Sequence, residues 1–136
     1  MTKPTIEHLN PDGLHKSPVF SQAIAVSGGR TLYIGGQDGV DADGQVVADT
    51  IEGQAARAIA NVRACLQAAG GDLEHLVKVT IHLVAGQQLE GAFGAWQQAF
   101  AGRGPPPTVT MLFVAALGHP AWLIEIDAIA VLPERG

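Results

Sequence analysis

Trp122-Leu123-Ile124-Glu125-Ile126-Asp127-Ala128-Ile129-Ala130-Val131-Leu132 is the stretch on which the fold turns. Its residues alternate. Trp122, Ile124, Ile126, Ala128, Ala130 and Leu132 fall on one side of an extended chain, and Leu123, Glu125, Asp127, Ile129 and Val131 on the other. Period two means strand, because successive side chains of extended backbone point to opposite faces. The first side is wholly apolar, and the second sets three apolar residues beside two carboxylates. A strand apolar on both faces needs two covers.

The rest of the chain supplies only one. Upstream lies a strand at Thr108–Val114, and before it a helix over about Gln88–Ala101, with Leu89, Phe93, Trp96 and Phe100 on one side. Gly102, Gly104 and Pro105-Pro106-Pro107 end that helix. Val77–Val84 alternates, with Val77, Val79, Ile81 and Leu83 opposed to Lys78, Thr80 and His82. The longer helix spans about Thr50–Ala69. Ile51, Ala55, Ala58, Ile59, Val62, Cys65, Leu66 and Ala69 form its stripe at steps of three and four, Asp49 is the expected N-cap, and Gly70-Gly71 the stop. Cys65 on that stripe reads as a buried core thiol. Near the N-terminus, Gln22–Val26 and Thr31–Ile34 flank Ser27-Gly28-Gly29-Arg30, a hairpin signal. Asp41-Ala42-Asp43-Gly44 is a plain turn, since the twelve-residue ligand pattern of a calcium loop is missing.

The order is thus β-β, with room for a third strand, then α-β-α-β-β. This is an α+β single domain over residues 1–136, a sheet with two helices on one face. With both helices on one side, the second cover is expected to be another copy of the chain, so an oligomer follows.

Composition agrees. Charged residues are 15% of the 136, against roughly 25% in an average soluble protein, which suits a surface partly covered by partners. The apolar runs Met111–Leu117 and Ala128–Leu132 fall far short of the ~20 residues of a membrane span. The net charge of −5 disfavours nucleic acid, whose phosphates are bound mainly by Lys and Arg. The polar start, Met1 to Glu7, carries no apolar signal core, so a cytoplasmic protein is expected. Cys65 is the only cysteine, His8, His15 and His75 show no metal-ligand spacing, and Gly35-Gly36-Gln37-Asp38-Gly39 lacks the lysine of a phosphate loop.

Several stretches carry a resemblance: Phe20-Ser21-Gln22-Ala23, Leu32-Tyr33-Ile34-Gly35-Gly36-Gln37, Ala60-Asn61-Val62, Gln67-Ala68-Ala69-Gly70, Leu76-Val77-Lys78-Val79-Thr80 and, most specific, Ile124 to Ala130. Over about residues 18–132 the chain resembles the Rid family of reactive intermediate deaminases, also called YjgF or endoribonuclease L-PSP. The resemblance implies a chorismate-mutase-like fold and a homotrimer with a central barrel and clefts between subunits. It also implies hydrolysis of 2-imino acids to 2-keto acids and ammonia, with neither metal nor cofactor.

Carried over residue by residue, the family's glutamate falls on Glu125. Its carboxylate-holding arginine falls on Val109, its tyrosine on Phe20, its serine on Gly35 and its asparagine on Phe93. Gln37 keeps its family identity, and Met111 lies two residues beyond Val109. The expected site is therefore Glu125 as catalytic group, with Phe20, Gly35, Gln37, Phe93, Val109 and Met111 around the ligand. Phe20, Phe93, Val109 and Met111 equally suit an apolar pocket or interface packing.

Glu125, a carboxylate among apolar neighbours, suits acid–base chemistry or a structural tie to backbone amides. Asp127 pairs with it as a second acid or forms an interface ion pair. His82 reads as a hydrogen-bonded structural residue and His119 as a turn residue. Lys78 and Arg103 are the cations within conceivable reach of a cleft. Two functions follow: a diverged hydrolase acting through Glu125 on a small imine, enamine or carbonyl compound, or a small-molecule binder without turnover. Standard 2-imino acid activity is expected to be weak or absent, and the nuclease of the family's older name conflicts with the charge.

Overall fold

In the computed structural model, which describes residues 3–135, the alternation at the C-terminal end becomes β6, Ile124–Leu132. The strand starts two residues later than expected. Trp122 belongs instead to a turn in which its amide donates to His119 O. The other elements are β1 (Thr5–Leu9), β2 (Ala23–Ser27), β3 (Arg30–Asp38), α1 (Ile51–Ala68), β4 (Leu76–Val84), α2 (Leu89–Phe100) and β5 (Thr108–Val114), with a short 3-10 turn at Leu73–His75.

Helix α1 forms where the apolar stripe lies, and Ile51, Ala55, Ala58, Ile59, Val62 and Leu66 are buried by it. Its N-cap is Thr50 rather than the expected Asp49: Thr50 Oγ1 accepts from Gly53 N at 3.2 Å. Thr50 holds the extended backbone that lets a cap oxygen reach the N3 amide. Cys65 is half-buried, not fully buried. It packs at the margin of the core because the centre of the stripe is filled by Val62 and Leu66.

The main sheet has the order β3-β6-β4-β5, antiparallel except for the parallel pair β4–β5. Both helices pack on the face that carries Ile124, Ile126, Ala128, Ala130 and Leu132, so the core is an α+β sandwich of one helical layer on one sheet. Buried Gln54 ties the layers together. Its amide donates to Ala48 O and Ala121 O, and its Oε1 accepts from Leu123 N at 2.8 Å. The opposite face is left open at Tyr33, 76% exposed, and Leu112, 45%.

Two pairings depart from the sequence reading. The expected hairpin between Gln22–Val26 and Thr31–Ile34 does not form: β2 pairs with β1, and β3 pairs with β6. Gly28 and Gly29, both at positive φ, turn the chain from one sheet to the other. Gly29 cannot carry a side chain, since a Cβ there would lie 2.6 Å from Leu132 O. The second departure is a β-bulge in β3. Ile34 pairs with Ala128 but Gln37 with Ile126, three steps against two.

Candidate functional site

Ser21 is where the site begins. It is buried, its Oγ donates to Pro106 O at 2.5 Å, and its amide donates to Pro107 O at 2.9 Å. With its one proton committed to Pro106, Ser21 Oγ receives a bond from His8 Nδ1 at 2.8 Å. These bonds clamp the segment before β2 onto the entry to β5. They bring Phe20 beside Val109 and Met111, whose register with Val79 and Ile81 puts them on the helix side of the sheet.

A cavity of about 190 Å³ opens there, between α1, α2 and β5. Ile81, Leu83, Ile124 and Ile126 form its floor, Ala55, Ile59 and Trp96 its helical wall, and Val19, Phe20, Phe93, Val109 and Met111 its outer part. Leu89, Phe93 and Met111 are each more than a third exposed, so the mouth lies on their side. Every residue of the lining is apolar. An apolar cavity of roughly 150 Å³ takes up benzene, so this volume suits a ligand of that size or slightly larger. Four sequence-predicted residues, Phe20, Phe93, Val109 and Met111, thus meet in one place.

The other three do not join them. Glu125 is half-buried on the sheet face away from the helices, between the cavity-floor residues Ile124 and Ile126 along the strand. Gly35 lies in the bulge, exposed, and accepts at its carbonyl from Gln37 Nε2 at 3.2 Å. Neither Gly35 nor Gln37 lines the cavity.

Around Glu125 the structure assembles a polar group that the sequence reading only half anticipated. His82 is its register partner on β4, and His82 Nδ1 donates to Glu125 O at 3.2 Å. Asp38 is its partner on β3. Asp38 is 6% exposed, and its Oδ1 has no hydrogen-bond partner. Burial, above all, and then the charge and hydrogen bonding of Glu125 push its pKa up to about 7, with His82 pulling the other way. The sequence reading sought the second carboxylate at Asp127, two residues along the same strand, where it pairs with Thr80. Cross-strand partners approach to about 5 Å, closer than residues i and i+2.

The remaining candidates are occupied elsewhere. His119 Nδ1 accepts from Ala121 N at 3.1 Å while its ring stacks on Trp122. Arg103 is held by Ala99 O, Asp72 and Glu74, and Lys78 pairs with Ile129 on the open face. Neither cation lines the cavity. Among the described residues, no group of three or more His, Cys, Asp or Glu side chains is arranged to hold a metal, and no helix is long and apolar enough to cross a membrane.

Comparison with known proteins bears on this arrangement. Residues 14–132 match the family described as Endoribonuclease L-PSP. The chain is 36% identical over 113 residues to a 2-iminobutanoate/2-iminopropanoate deaminase from Capra hircus, covering 82% of this chain and 79% of that one. It is 34% identical over 113 residues to the protein DfrA of Myxococcus xanthus, covering 82% and 84%. A crystal structure of YyfB from Yersinia pestis, a Rid-family protein of unknown function, superposes with a TM-score of 0.84 at 30% identity, covering 93% of this chain and 98% of that one.

Proposed function

The chain belongs to the Endoribonuclease L-PSP family, the Rid/YjgF proteins, and from that premise we propose that it hydrolyses a small uncharged imine or enamine, with Glu125 as the acid–base or water-positioning group. The observation that carries this reading is the lining of the cavity. Phe20, Phe93 and Val109, aligned with the polar and cationic residues of typical members, here form part of a wall with no charged group. A substrate carboxylate buried there without a partner would be costly, so the ligand is apolar and neutral.

The chemistry is simple to balance. Water adds to the imine carbon as a proton passes to nitrogen, and the resulting amino alcohol loses ammonia to leave the carbonyl. A carboxylate that takes the water proton and returns it to nitrogen ends the cycle unchanged. Within one chain Glu125 lies on the far side of the sheet from the cavity, so the reading calls for a second copy. A homotrimer with clefts between subunits supplies it, and the open face at Tyr33 and Leu112 is the surface available for that contact.

A second reading, a binder without turnover, is favoured by the lack of any hydrogen-bonding group in the lining apart from the Trp96 ring. One experiment separates the two. A neutral aliphatic imine and 2-iminopropionate are generated in situ, and carbonyl release is compared with and without the protein and its Glu125→Gln variant. The expected result is acceleration for the neutral imine, reduced about 10²–10⁴-fold in the variant. A variant that keeps its rate overturns the role of Glu125, and a preference for 2-iminopropionate overturns the uncharged substrate. Saturable binding without acceleration supports the binder.

A further inference from the structure

The carboxyl of Asp38 has no role in the cavity, yet the fold takes trouble to place it. Continued without interruption, the alternation of Leu32 and Ile34 would aim Asp38 at the apolar helix side. The bulge at Gly35-Gly36 inserts one residue, which reverses the parity of everything after it. Asp38 thereby comes level with Glu125 instead of entering the core. Gly39 then holds the end of β3 against α1, so closely that a Cβ there would lie 2.6 Å from Gln54 Cα. Asn61 fixes the same point, its Nδ2 donating to Asp38 O at 3.1 Å.

The groups facing this carboxyl are few. Glu125 comes from β6, with Asp127 further along; His82 and Lys78 come from β4. From α1, Arg57 is turned to Val40 O and Asn61 Oδ1. None donates to Asp38 Oδ1. A buried carboxyl oxygen without a donor is costly, and two adjacent carboxylates repel. One proton placed between them removes both penalties, because a protonated carboxyl is itself a donor.

We propose that Asp38 is a positioning residue for Glu125: the two carboxyls, opposite each other across β3 and β6, share one proton, and Asp38 determines which of them is charged. The raised pKa of Asp38 agrees with this geometry. In giving Asp38 a part in the chemistry, the inference rests on the reading of Glu125 above; the shared proton does not depend on it. An acid that gives up its proton near neutrality keeps Glu125 supplied with a hydrogen bond below that pH and leaves it beside a second negative charge above it.

The test is a carbon-13 NMR titration of the Asp and Glu carboxyls in the full-length assembled protein, with the Asp38 signal assigned by Asp38→Asn or, if that variant does not fold, by through-bond correlation. Asp38 is expected to titrate near neutrality and to move down in Glu125→Gln. An Asp38 that titrates near its ordinary 3.8, or a midpoint unmoved in Glu125→Gln, overturns the pair. In activity, Asp38→Asn should remove the neutral inflection of the pH–rate profile; a profile unchanged from wild type overturns the positioning role of Asp38, the shared proton being judged by the titrations. Should Glu125→Gln stay active while the titrations behave as expected, the functional reading fails and the shared proton stands. Loss of activity in Glu125→Gln beside an ordinary Asp38 has the opposite meaning.

Discussion

The carboxyl of Glu125 lies over the backbone of Gly36, so close that a Cβ on that glycine would stand 2.6 Å from Glu125 Cδ and 3.0 Å from its Oε1. Gly36 has no positive φ to explain its identity. The reason is space: the missing side chain leaves the volume in which the glutamate rests beside Asp38.

Replacing Gly36 with Ala is therefore expected to move Glu125 rather than the fold. The atoms in the way are the far end of a flexible side chain, so stability should change by no more than about 1 kcal/mol. Activity should fall on the order of 10²-fold, as displacements near 1 Å do elsewhere. Thermal melts and rates on a neutral imine check this together; an Ala variant with full activity would show that the glutamate's position is not critical.

Asp38 should make the fold less stable as pH rises. Its folded pKa of about 7 exceeds its ordinary 3.8, so between those values the native state holds the proton more tightly than the unfolded chain. Stability from this group is full below about pH 4, is lost as pH climbs through the window, and levels off above about pH 7. Asp72 runs the other way, its carboxyl lowered chiefly by the Arg63 hydrogen bond, and so the quantity to measure is a difference. Urea midpoints of wild type and Asp38→Asn should agree at about pH 4, with the variant ahead at about pH 8. The reverse order at about pH 8 refutes the sign.

Assembly is expected to be trimeric. Light scattering on a size-exclusion column should give three times the 14.1 kDa chain mass, and a single species at one chain mass would exclude it. Leu112→Asp places a charge on the open face, where Leu112 pairs with His82, and should shift the population toward monomer without unfolding it.

Val109→Arg asks whether the cavity refuses carboxylates for the reason given. Val109 lines the outer cavity, and a guanidinium there can hold a carboxylate by two parallel bonds. Leaving one partner of such a buried pair without the other costs about 2–5 kcal/mol, or roughly 30- to 4,000-fold. Isothermal titration with 2-ketobutyrate should show binding by the variant far tighter than by wild type, at some loss of thermal stability for the unliganded charge. Equal affinity would mean that position 109 does not face the ligand.

Much of this architecture is legible without coordinates. The apolar alternation of Ile124–Leu132 and the three-and-four stripe of Ile51–Leu66 place β6 and α1 nearly to the residue. Both are local periodicities that one buried face imposes on its own sequence. The apolar cluster of Phe20, Phe93, Val109 and Met111 was legible only through the family resemblance. Residues so far apart in sequence carry no mutual signal until Ser21 clamps its segment to Pro106 and Pro107.

Asp38 shows where local reading stops. Its neighbours Gly36, Gln37 and Gly39 mark irregular backbone, but not which way a strand resumes after an inserted residue. A single bulge exchanges the two faces of everything beyond it, and only pairing with β6 determines where that bulge lies. The partner of β2 was open for the same reason. A Gly-Gly turn is compatible with a hairpin and with a crossing between sheets, and the choice belongs to β1 and β6, which take up the backbone groups that β2 and β3 would otherwise offer each other. Sequence alone thus determined both helices and the strands from β2 onward, with the apolar face of each regular segment, since those properties follow from the spacing of neighbouring residues; β1, Thr5–Leu9, went unread because its short alternation lies in a polar stretch and is a strand only through its pairing with β2. Tertiary structure decided which strands meet, in what register, and therefore that Glu125 stands beside Asp38 and away from the cavity, since hydrogen-bonded registers are relations between segments that no single segment encodes.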